Sequence, residues 1–267
     1  MKNVRWVIQN NLIAENDLNE IQEACKSLNV EFQEVIVIPM TKELPDILHD
    51  DKVNLYYGST TLMDNIYEQL DKPFGLFYNH ETYSMENYLS KWGEHMLSSE
   101  ARIYKVSDVL KANHQFDYDV FIRPDGDGKE FDGQVINIFQ LDDLLQRHLQ
   151  YDSKLTLDSK ILIGPAYNIH KEWRNYVVDG EVVSSSLYRQ NFKLKKSAED
   201  IPESMLEFVR ARISEYQPHD LFAIDIASTH DGTYYIIECG CLNSVGFYKA
   251  DIGKIITKIT EYAIKHG

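Results

Sequence analysis

The stretch LFAIDIASTHDGTYYIIECG, residues 221–240, contains two β-rich runs on either side of Asp231-Gly232. An Asp-Gly pair between such runs is the strongest short signal for a β-hairpin. If these two residues form the turn, counting back along both strands places Asp225 directly opposite Glu238. Two carboxylates opposed on a ladder destabilise it unless a cation lies between them, and Mg²⁺ prefers such oxygens. We therefore expect a magnesium site here, although a register shift of one residue would move one carboxylate to the other face.

A second hairpin is predicted in NYVVDGEVVSSSLYR, residues 175–189, where Asp179-Gly180 separates two β-rich runs. A two-residue turn there places Arg174 opposite Ser185. Alternation of side chains then gives one face Glu172, Arg174 and Arg189, and the other face Trp173, Val177, Val182 and Tyr188. A face with two guanidinium groups and a carboxylate is either a solvated surface or part of a charged site.

The stretch FIRPDGDGKEFDG, residues 121–133, reads as a buried strand followed by a glycine-rich loop. Arg123 at the end of the strand and Lys129 in the loop would place positive charge and backbone N–H groups around a polyphosphate. The loop matches neither G-x-x-x-x-G-K-[ST] nor G-x-G-x-x-G, and a calcium-like turn or a plain surface loop also fits it. Together with the carboxylate pair and the arginines, it favours an ATP site between two sheets.

The first hundred residues alternate between predicted strands and helices, which is typical of a parallel sheet. Strands are predicted in VRWVI, EVIVIPM, VNLYYGST and PFGLFYN, which begin at residues 4, 34, 53 and 73. Asp17 and Glu20 indicate a capping box for the first helix, and a second helix is predicted near Leu62 to Leu70. After about Ala101 the strands come in pairs, which indicates antiparallel sheets.

The formal net charge of −15 over 267 residues argues against a nucleic-acid partner, because phosphate backbones are bound by basic surfaces. No apolar run approaches the roughly 20 residues that a bilayer span needs, and the N-terminal residues lack the apolar core of a signal peptide. We therefore expect a cytoplasmic protein without membrane contact. Cys25, Cys239 and Cys241 include no C-x-x-C pair, so we expect reduced, structural thiols.

Three segments resemble the ATP-grasp superfamily, in particular its clade of amidoligases named for two arginines and a lysine. They are FIRPDGDGKEFDG, EWRNYVVDGEVVSSSLYR and AIDIASTHDGTYYIIECGCLNSVGFY, and the resemblance extends from about Tyr118 to Tyr248. It implies an α/β and α+β protein. A Rossmann-like domain, residues 1–105, would precede a two-lobed ATP-grasp domain with antiparallel sheets, residues 106–267.

The resemblance also implies which residues bind the nucleotide. Arg123 would take the place of the usual phosphate-binding lysine, and Lys129 would lie in the flexible loop over the phosphates. Lys105 is a further candidate phosphate contact. The segment ILIGP, centred on Ile163, would lie beside adenine, and Glu172 would approach the ribose.

The catalytic and metal-binding residues follow from the same resemblance. Arg174 and Arg189 would face the γ-phosphate and the acyl-phosphate intermediate, with Lys129 as the third catalytic cation. Asp225 and Glu238 match the metal ligands of the family, as the ladder count already suggested.

One departure from the family concerns its last metal ligand, which is usually presented as Glu-x-Asn. This chain reads ECGCLN, with Gly240 where the asparagine would fall. Asn243 would supply the missing oxygen if the loop bulges; otherwise water would. The following NSVGFY resembles the substrate-side turn, with Ser244 and the Gly246 backbone near the acceptor and Tyr248 as a wall.

The activity implied by the resemblance is ATP-dependent ligation of a carboxylate to an amine through an acyl phosphate, with ATP and magnesium as cofactors. The expected partners are small-molecule or peptide carboxylates and amines. Two other activities stay open: a phosphotransferase of the same fold, and an ATP-binding module that has lost catalysis through the change at Gly240.

Overall fold

The computed structural model of the protein describes residues 4–38, 41–112, 117–128, 130–151 and 154–267. Its strands are β1 (Val4–Gln9), β2 (Glu31–Val35), β3 (Val53–Tyr57), β4 (Arg102–Lys105), β5 (Asp119–Pro124), β6 (Gln134–Asn137), β7 (Lys160–Pro165), β8 (Lys171–Val178), β9 (Glu181–Gln190), β10 (Lys193–Ser197), β11 (Leu221–Ser228) and β12 (Tyr234–Cys241). Its helices are α1 (Glu15–Ser27), α2 (Thr60–Gln69), α3 (Met85–Trp92), α4 (Val106–Val109), α5 (Leu141–Tyr151), α6 (Glu203–Glu215) and α7 (Ile252–His266). Within these ranges no helix has the length and apolar character required to cross a bilayer.

The strands of the described residues form three sheets. The first is parallel, with the order β2-β1-β3. The second has the order β4-β7-β5-β6, and the third, which we call the large sheet, has the order β10-β9-β8-β11-β12. Every pairing in the second and large sheets is antiparallel. The mixed architecture expected from the sequence is therefore confirmed.

Details of the first sheet differ from the sequence prediction. The helix α1 begins at Glu15, so Asp17 and Glu20 lie inside it and the predicted capping box is wrong. The predicted fourth strand, residues 73–79, is also wrong. Across this fully described stretch, Gly75 alone pairs with β3, as an isolated bridge to Leu55.

The division at residues 105 and 106 stays a prediction, and two packing features bear on it. The strand β4 ends at Lys105 but pairs with β7 in the second sheet. The last helix, α7, packs against the first sheet: the Trp6 indole N–H donates to the Thr260 hydroxyl (3.0 Å), and both side chains are buried.

The hairpin between β8 and β9 has the predicted turn, since Asp179 and Gly180 both adopt positive φ angles of 52° and 76°. Two bulges in β9 change the register beyond it. Arg174 pairs with Ser186, not with Ser185. The second bulge lies at Tyr188, which turns its side chain to the face that carries Glu172 and corrects our assignment of Tyr188 to the opposite face.

The hairpin between β11 and β12 pairs Asp225 with Glu238, as the count predicted. The path to this register differs, because Ser228 pairs with Tyr234 and the turn is longer than two residues. A bulge at Ile237, between the pairs formed by Asp225 and Ile226, restores the alignment. The turn shifts the register by one residue and the bulge shifts it back by one, so Asp225 and Glu238 are paired as predicted.

Candidate active site

A row of charged side chains crosses three strands of the large sheet. Asp225 on β11 pairs with Arg174 on β8 and with Glu238 on β12. The Arg174 guanidinium donates from Nε to Asp225 Oδ1 and from Nη2 to Asp225 Oδ2, both at 2.8 Å. Asp225 is only 3% exposed. Burial raises the pKa of Asp225, Arg174 lowers it and Glu238 raises it, so this pKa ends above its ordinary value.

Arg123 joins the second sheet to this row. It lies on β5, and its Nη1 is 2.6 Å from Glu238 Oε2. Burial would lower the pKa of Arg123, but the Glu238 carboxylate raises it, and the net change is upward. Two guanidinium groups therefore compensate two opposed carboxylates at the junction of the two sheets, where the sequence predicted a cation between the acids.

A second group of side chains extends the row along β8 and β9. Glu172 accepts hydrogen bonds from the Tyr188 hydroxyl (2.9 Å) and the Arg189 guanidinium (3.4 Å). The Tyr188 ring stacks on Tyr248 at 4.9 Å, and the Arg174 guanidinium lies over both rings at 5.7 and 5.2 Å. These cation–π contacts therefore hold Arg174 in addition to its carboxylate partner.

Glu172 has a consequence for the pH dependence of stability. Its carboxyl is 4% exposed, and burial raises its pKa although Arg189 and Tyr188 lower it. The folded state therefore holds this proton to higher pH than the unfolded chain, and stability is lost as the pH rises above the ordinary glutamate pKa of about 4.3. The variant Glu172→Gln does not titrate there. As the pH rises from about 4 to about 7, the native chain should therefore lose stability that the variant keeps. The difference in free energy of unfolding, variant minus native, should increase over this range, as urea unfolding would measure. A constant difference across this range would contradict the shift.

The predicted ribose contact of Glu172 stays a prediction, and its present environment bears on it. A ribose hydroxyl would need an accessible carboxylate, whereas both oxygens of this nearly buried group are engaged by Tyr188 and Arg189. The arrangement suits a residue that positions Arg189, whose side chain is 47% exposed.

The glycine-rich loop, residues 125–133, is anchored at its start. The backbone carbonyl and the side chain of Asp125 accept hydrogen bonds from the first N–H groups of α3, those of Met85 (2.8 Å) and Glu86 (2.7 Å). Lys154 donates to the Gly128 carbonyl (3.3 Å) and pairs with Asp64 of α2 (3.0 Å). Lys129, the predicted mobile clamp, lies outside the described residues.

Two further predicted nucleotide contacts lie on the second sheet. Ile163 is on β7, opposite Ile122, in the segment that leads into the large sheet. Lys105 lies on the same face of the second sheet as Arg123. Ile103 and Arg123 are both aligned with Leu162, and Lys105 is two residues beyond Ile103. Lys105 pairs with Asp158 at 3.1 Å. Both contacts with nucleotide stay predictions.

The predicted substrate-side turn lies beside Arg174. The Gly246 carbonyl accepts from the Tyr176 hydroxyl (2.7 Å) and from Arg174 Nη1 (3.5 Å). Tyr248 forms the stack described above with a positive φ of 56°. Ser244 borders a small cavity together with Tyr78 and Asp127. The turn is thus held by the same arginine that binds Asp225.

Asn243 has a different role from the predicted one. Its side chain is 1% exposed. The amide nitrogen donates to the carbonyls of Tyr56 (2.7 Å) and Gly75 (2.8 Å), and the amide oxygen accepts from the Phe77 N–H (2.7 Å). The predicted metal ligand therefore connects β3 to the segment that was predicted as a fourth strand. Its oxygen also accepts from the Cys241 thiol, so we exclude it from the proposed ligands.

The model of one protein family, the ATP-grasp domain of R2K clade family 3, matches residues 65–259. The chain belongs to this ATP-grasp family. The resemblance stated from the sequence is therefore confirmed. A comparison with curated proteins found no match.

Solved structures are similar to this ATP-grasp chain in fold. The D-cycloserine synthetase DcsG has a TM-score of 0.64 at 12% identity, with 98% of this chain and 99% of that chain covered. A Chryseobacterium gregarium RiPP-associated ATP-grasp ligase, in complex with ADP and a leader and core peptide, gives 0.57 at 14%, covering 99% and 97%. The D-alanine–D-alanine ligase from Bacillus anthracis, complexed with ATP, gives 0.55 at 12%, covering 98% of each chain.

The donor set of this ATP-grasp site fits magnesium. In the part of the chain that the structure describes, no cluster of three or more His, Cys, Asp or Glu side chains is arranged for a metal. Asp225 and Glu238 are nevertheless two hard carboxylates on adjacent strands, and a bound cation would replace part of their pairing with Arg174 and Arg123. Mg²⁺ is commonly bound by one or two carboxylates and takes its other ligands from water and substrate phosphates.

Sequence reasoning did not assign Tyr188 to the site, and it gave Asn243 a contact that the structure does not show. Tyr188 enters it through a bulge, and no residue type in SSSLYR marks that bulge. Asn243 was noticed but given the wrong contacts, since its partners lie more than 160 residues earlier in the chain. The sequence signal that bears on Asn243 is Gly240, which was noted; a Cβ there would lie 2.7 Å from Val245 Cγ1, so an asparagine at this position would require Val245 to shift.

Proposed function

We propose that this protein is an ATP-dependent carboxylate–amine ligase that acts through an acyl phosphate. The observation that carries the proposal is the junction of the two sheets in an ATP-grasp domain, where Arg123 and Arg174 pair with Glu238 and Asp225. Such a junction offers fixed cations for phosphoryl oxygens and two carboxylates for a metal. The proposal is also supported by the printed names of the similar structures, which include a synthetase and two ligases.

The proposed reaction has two steps. A carboxylate oxygen of the first substrate attacks the γ-phosphorus of ATP, the bond to the bridging oxygen of ADP breaks, and an acyl phosphate forms. The amine nitrogen of the second substrate then attacks the acyl carbon, and the C–O bond to phosphate breaks. Phosphate leaves with the bonding electrons, and the amine proton passes to phosphate or water.

The arginines are assigned the task of stabilising charge on the transferring phosphoryl group. Cations that are already positioned stabilise the transition state without reorganisation at the moment of reaction. Arg174 is held in place by Asp225 and by the Tyr188–Tyr248 stack, and Glu172 positions Arg189. Asp225 and Glu238 would hold magnesium, which neutralises phosphate charge when bound.

The substrates are proposed by class. The site would accept a small-molecule or peptide carboxylate and an amine near Ser244, the Gly246 backbone and Tyr248. One similar structure is a ligase in complex with a leader and core peptide, which supports a peptide as one of the two substrates. Adenine is assigned to the segment around Ile163, and Lys105 to the phosphates.

A second candidate function is ATP binding without ligation. It is favoured by one observation: Gly240 stands where the family has asparagine, and a Cβ there would lie 2.7 Å from Val245 Cγ1, so an asparagine would require Val245 to shift. Under this alternative ATP raises the melting temperature while no acceptor causes ADP release.

The test is ADP release by the purified protein with ATP and magnesium against pools of carboxylates and amines, singly and in pairs. We expect ADP that depends on an acceptor and falls to background in the Glu238→Gln variant. ADP formation with a hydroxyl acceptor and no amine would assign the protein to the phosphotransferases. Failure to bind ATP would overturn the proposal and its alternatives together.

The Lys129→Ala variant tests the loop. Loss of a cation over the phosphates should lower ligation by a factor of about 100, because such groups act mainly in the transition state. The melting temperature should change little. Lys111→Ala, at a lysine that is 77% exposed, is the matched control. An unchanged rate in Lys129→Ala would remove this residue from the mechanism.

A further inference from the structure

The strand β9 extends beyond its outer neighbour, β10, and this leaves part of an edge uncovered. The strand β10 pairs with Leu187, Arg189 and Gln190. The strand β9 begins at Glu181, and no strand of the described part of the chain pairs with the outer edge of residues 182–186. Backbone N–H and C=O groups on such an edge are available to another strand.

This edge is the floor of a cavity of about 460 Å³, which we call the β9 groove. One wall is apolar and is formed by α6 and the segment before it, with Ala198, Ile201 and Leu206. The other wall, which we call the α7 wall, is the start of α7 and the residues just before it. The two helices pack on opposite faces of the large sheet, so the groove is open along the strand edge and closed on both sides. Such a shape accepts an extended chain and excludes a flat protein surface.

The α7 wall of the β9 groove is cationic. Lys249 and Lys254 are exposed there, and the Asp251 carboxylate between them accepts the N–H of Lys254 (2.8 Å) as a helix cap. Arg210 adds a third cation on the α6 side, where it pairs with Glu203 (2.6 Å). In a chain of net charge −15 this is a local site for an anionic partner.

We propose that the β9 groove binds an acidic peptide segment of a partner protein as an added β-strand. Side chains of an added strand alternate between the two walls. The expected segment therefore alternates apolar residues, facing Ile201 and Leu206, with acidic residues, facing Lys249 and Lys254. A second copy of this chain fits less well, because it would place the same cations against each other.

The groove is separate from the proposed active site. Its lining includes neither the arginines nor the carboxylates of the charged row, so we expect a partner to bind there without ATP. The groove therefore provides this protein with a docking site that positions a partner protein independently of the nucleotide.

The test uses a fluorescein-labelled peptide of about seven alternating glutamate and valine residues. Fluorescence anisotropy should show saturable binding to the full chain. The double variant Lys249→Glu/Lys254→Glu should weaken binding by a factor of about ten, because two attractions become repulsions. Lys265→Glu, at the other end of α7, is the matched control and should bind as the native chain does.

A second peptide separates strand addition from simple charge attraction. N-methylation at alternate amides removes backbone donors without changing charge, and it should abolish binding. Absence of saturable binding, equal binding by the double variant, or equal binding of the methylated peptide would each overturn the proposal. Sedimentation that shows a dimer of the native chain and a monomer of the double variant would assign the groove to a second copy instead.

Discussion

Glu238→Gln is expected to reduce acceptor-dependent ADP formation by a factor of about 100 or more while leaving the protein folded. Glutamine keeps the shape of the side chain and an acceptor oxygen for Arg123, but it removes one of the two negative charges assigned to magnesium. Arg123 is only 14% exposed, but glutamine still accepts a hydrogen bond from it, so loss of the charge pair should cost about 2 kcal/mol of stability. Activity and stability should therefore separate in this variant.

The comparison needs a variant that also loses an ion pair but lies away from the site. Glu261→Gln on α7, which removes a pair with Lys258 of 2.8 Å, serves this purpose and should retain activity. Coupled assays for ADP and thermal unfolding with and without ATP give the readouts. Full activity in Glu238→Gln would show that the carboxylate row is structural and would leave the magnesium assignment without support.

Asn243→Asp is expected to destabilise the protein by about 4 kcal/mol. The native amide donates to two buried carbonyls, of Tyr56 and Gly75, and a carboxylate has no donor to offer either of them. It would instead place negative charge against both oxygens. The effect should appear in urea unfolding of the purified variant.

This substitution distinguishes the structural role from the ligand role that the sequence suggested. An aspartate is at least as good a magnesium ligand as an asparagine, so a ligand role predicts a folded and active Asn243→Asp. The structural role predicts the opposite. Asn191→Asp, at an exposed hydrogen bond to His170 (3.0 Å), is the matched control for the change of amide to acid. Native stability in Asn243→Asp would return Asn243 to the candidate ligands.

Local sequence patterns were enough to predict the β8–β9 turn and the pairing of Asp225 with Glu238, because turn chemistry and side-chain alternation are local. Asp179-Gly180 formed the predicted turn, and Asp225 met Glu238. The second result depended on a longer turn and a bulge at Ile237 that cancel each other, so the correct pair was reached by an incorrect path. Bulges depend on which neighbouring strand and which buried partner a residue meets. The bulge at Tyr188 allows its hydroxyl to reach the buried Glu172, and that requirement is visible only in three dimensions.

The segment around Gly75 shows the other limit. Its apolar residues predicted a strand, and the alternation of the preceding elements supported that interpretation. In the structure, a Cβ on Gly75 would come within 1.8 Å of the Asn54 carbonyl, and the Asn243 side chain supplies hydrogen bonds that a strand ladder would otherwise supply. Contacts between residues so far apart in sequence leave no periodic signal in either segment.

The packing of α7 on the first sheet has a consequence for synthesis on the ribosome. Trp6 and Ile8 share their buried cluster with Ile255 and Ile259, so this core lacks its last helix until about 250 residues have been added. At translation rates of roughly 5–20 residues per second, the delay is on the order of ten to fifty seconds. During that time the apolar surface of the nascent first sheet is uncovered. We expect this surface, and not the later hairpins, to be where molecular chaperones engage the emerging chain.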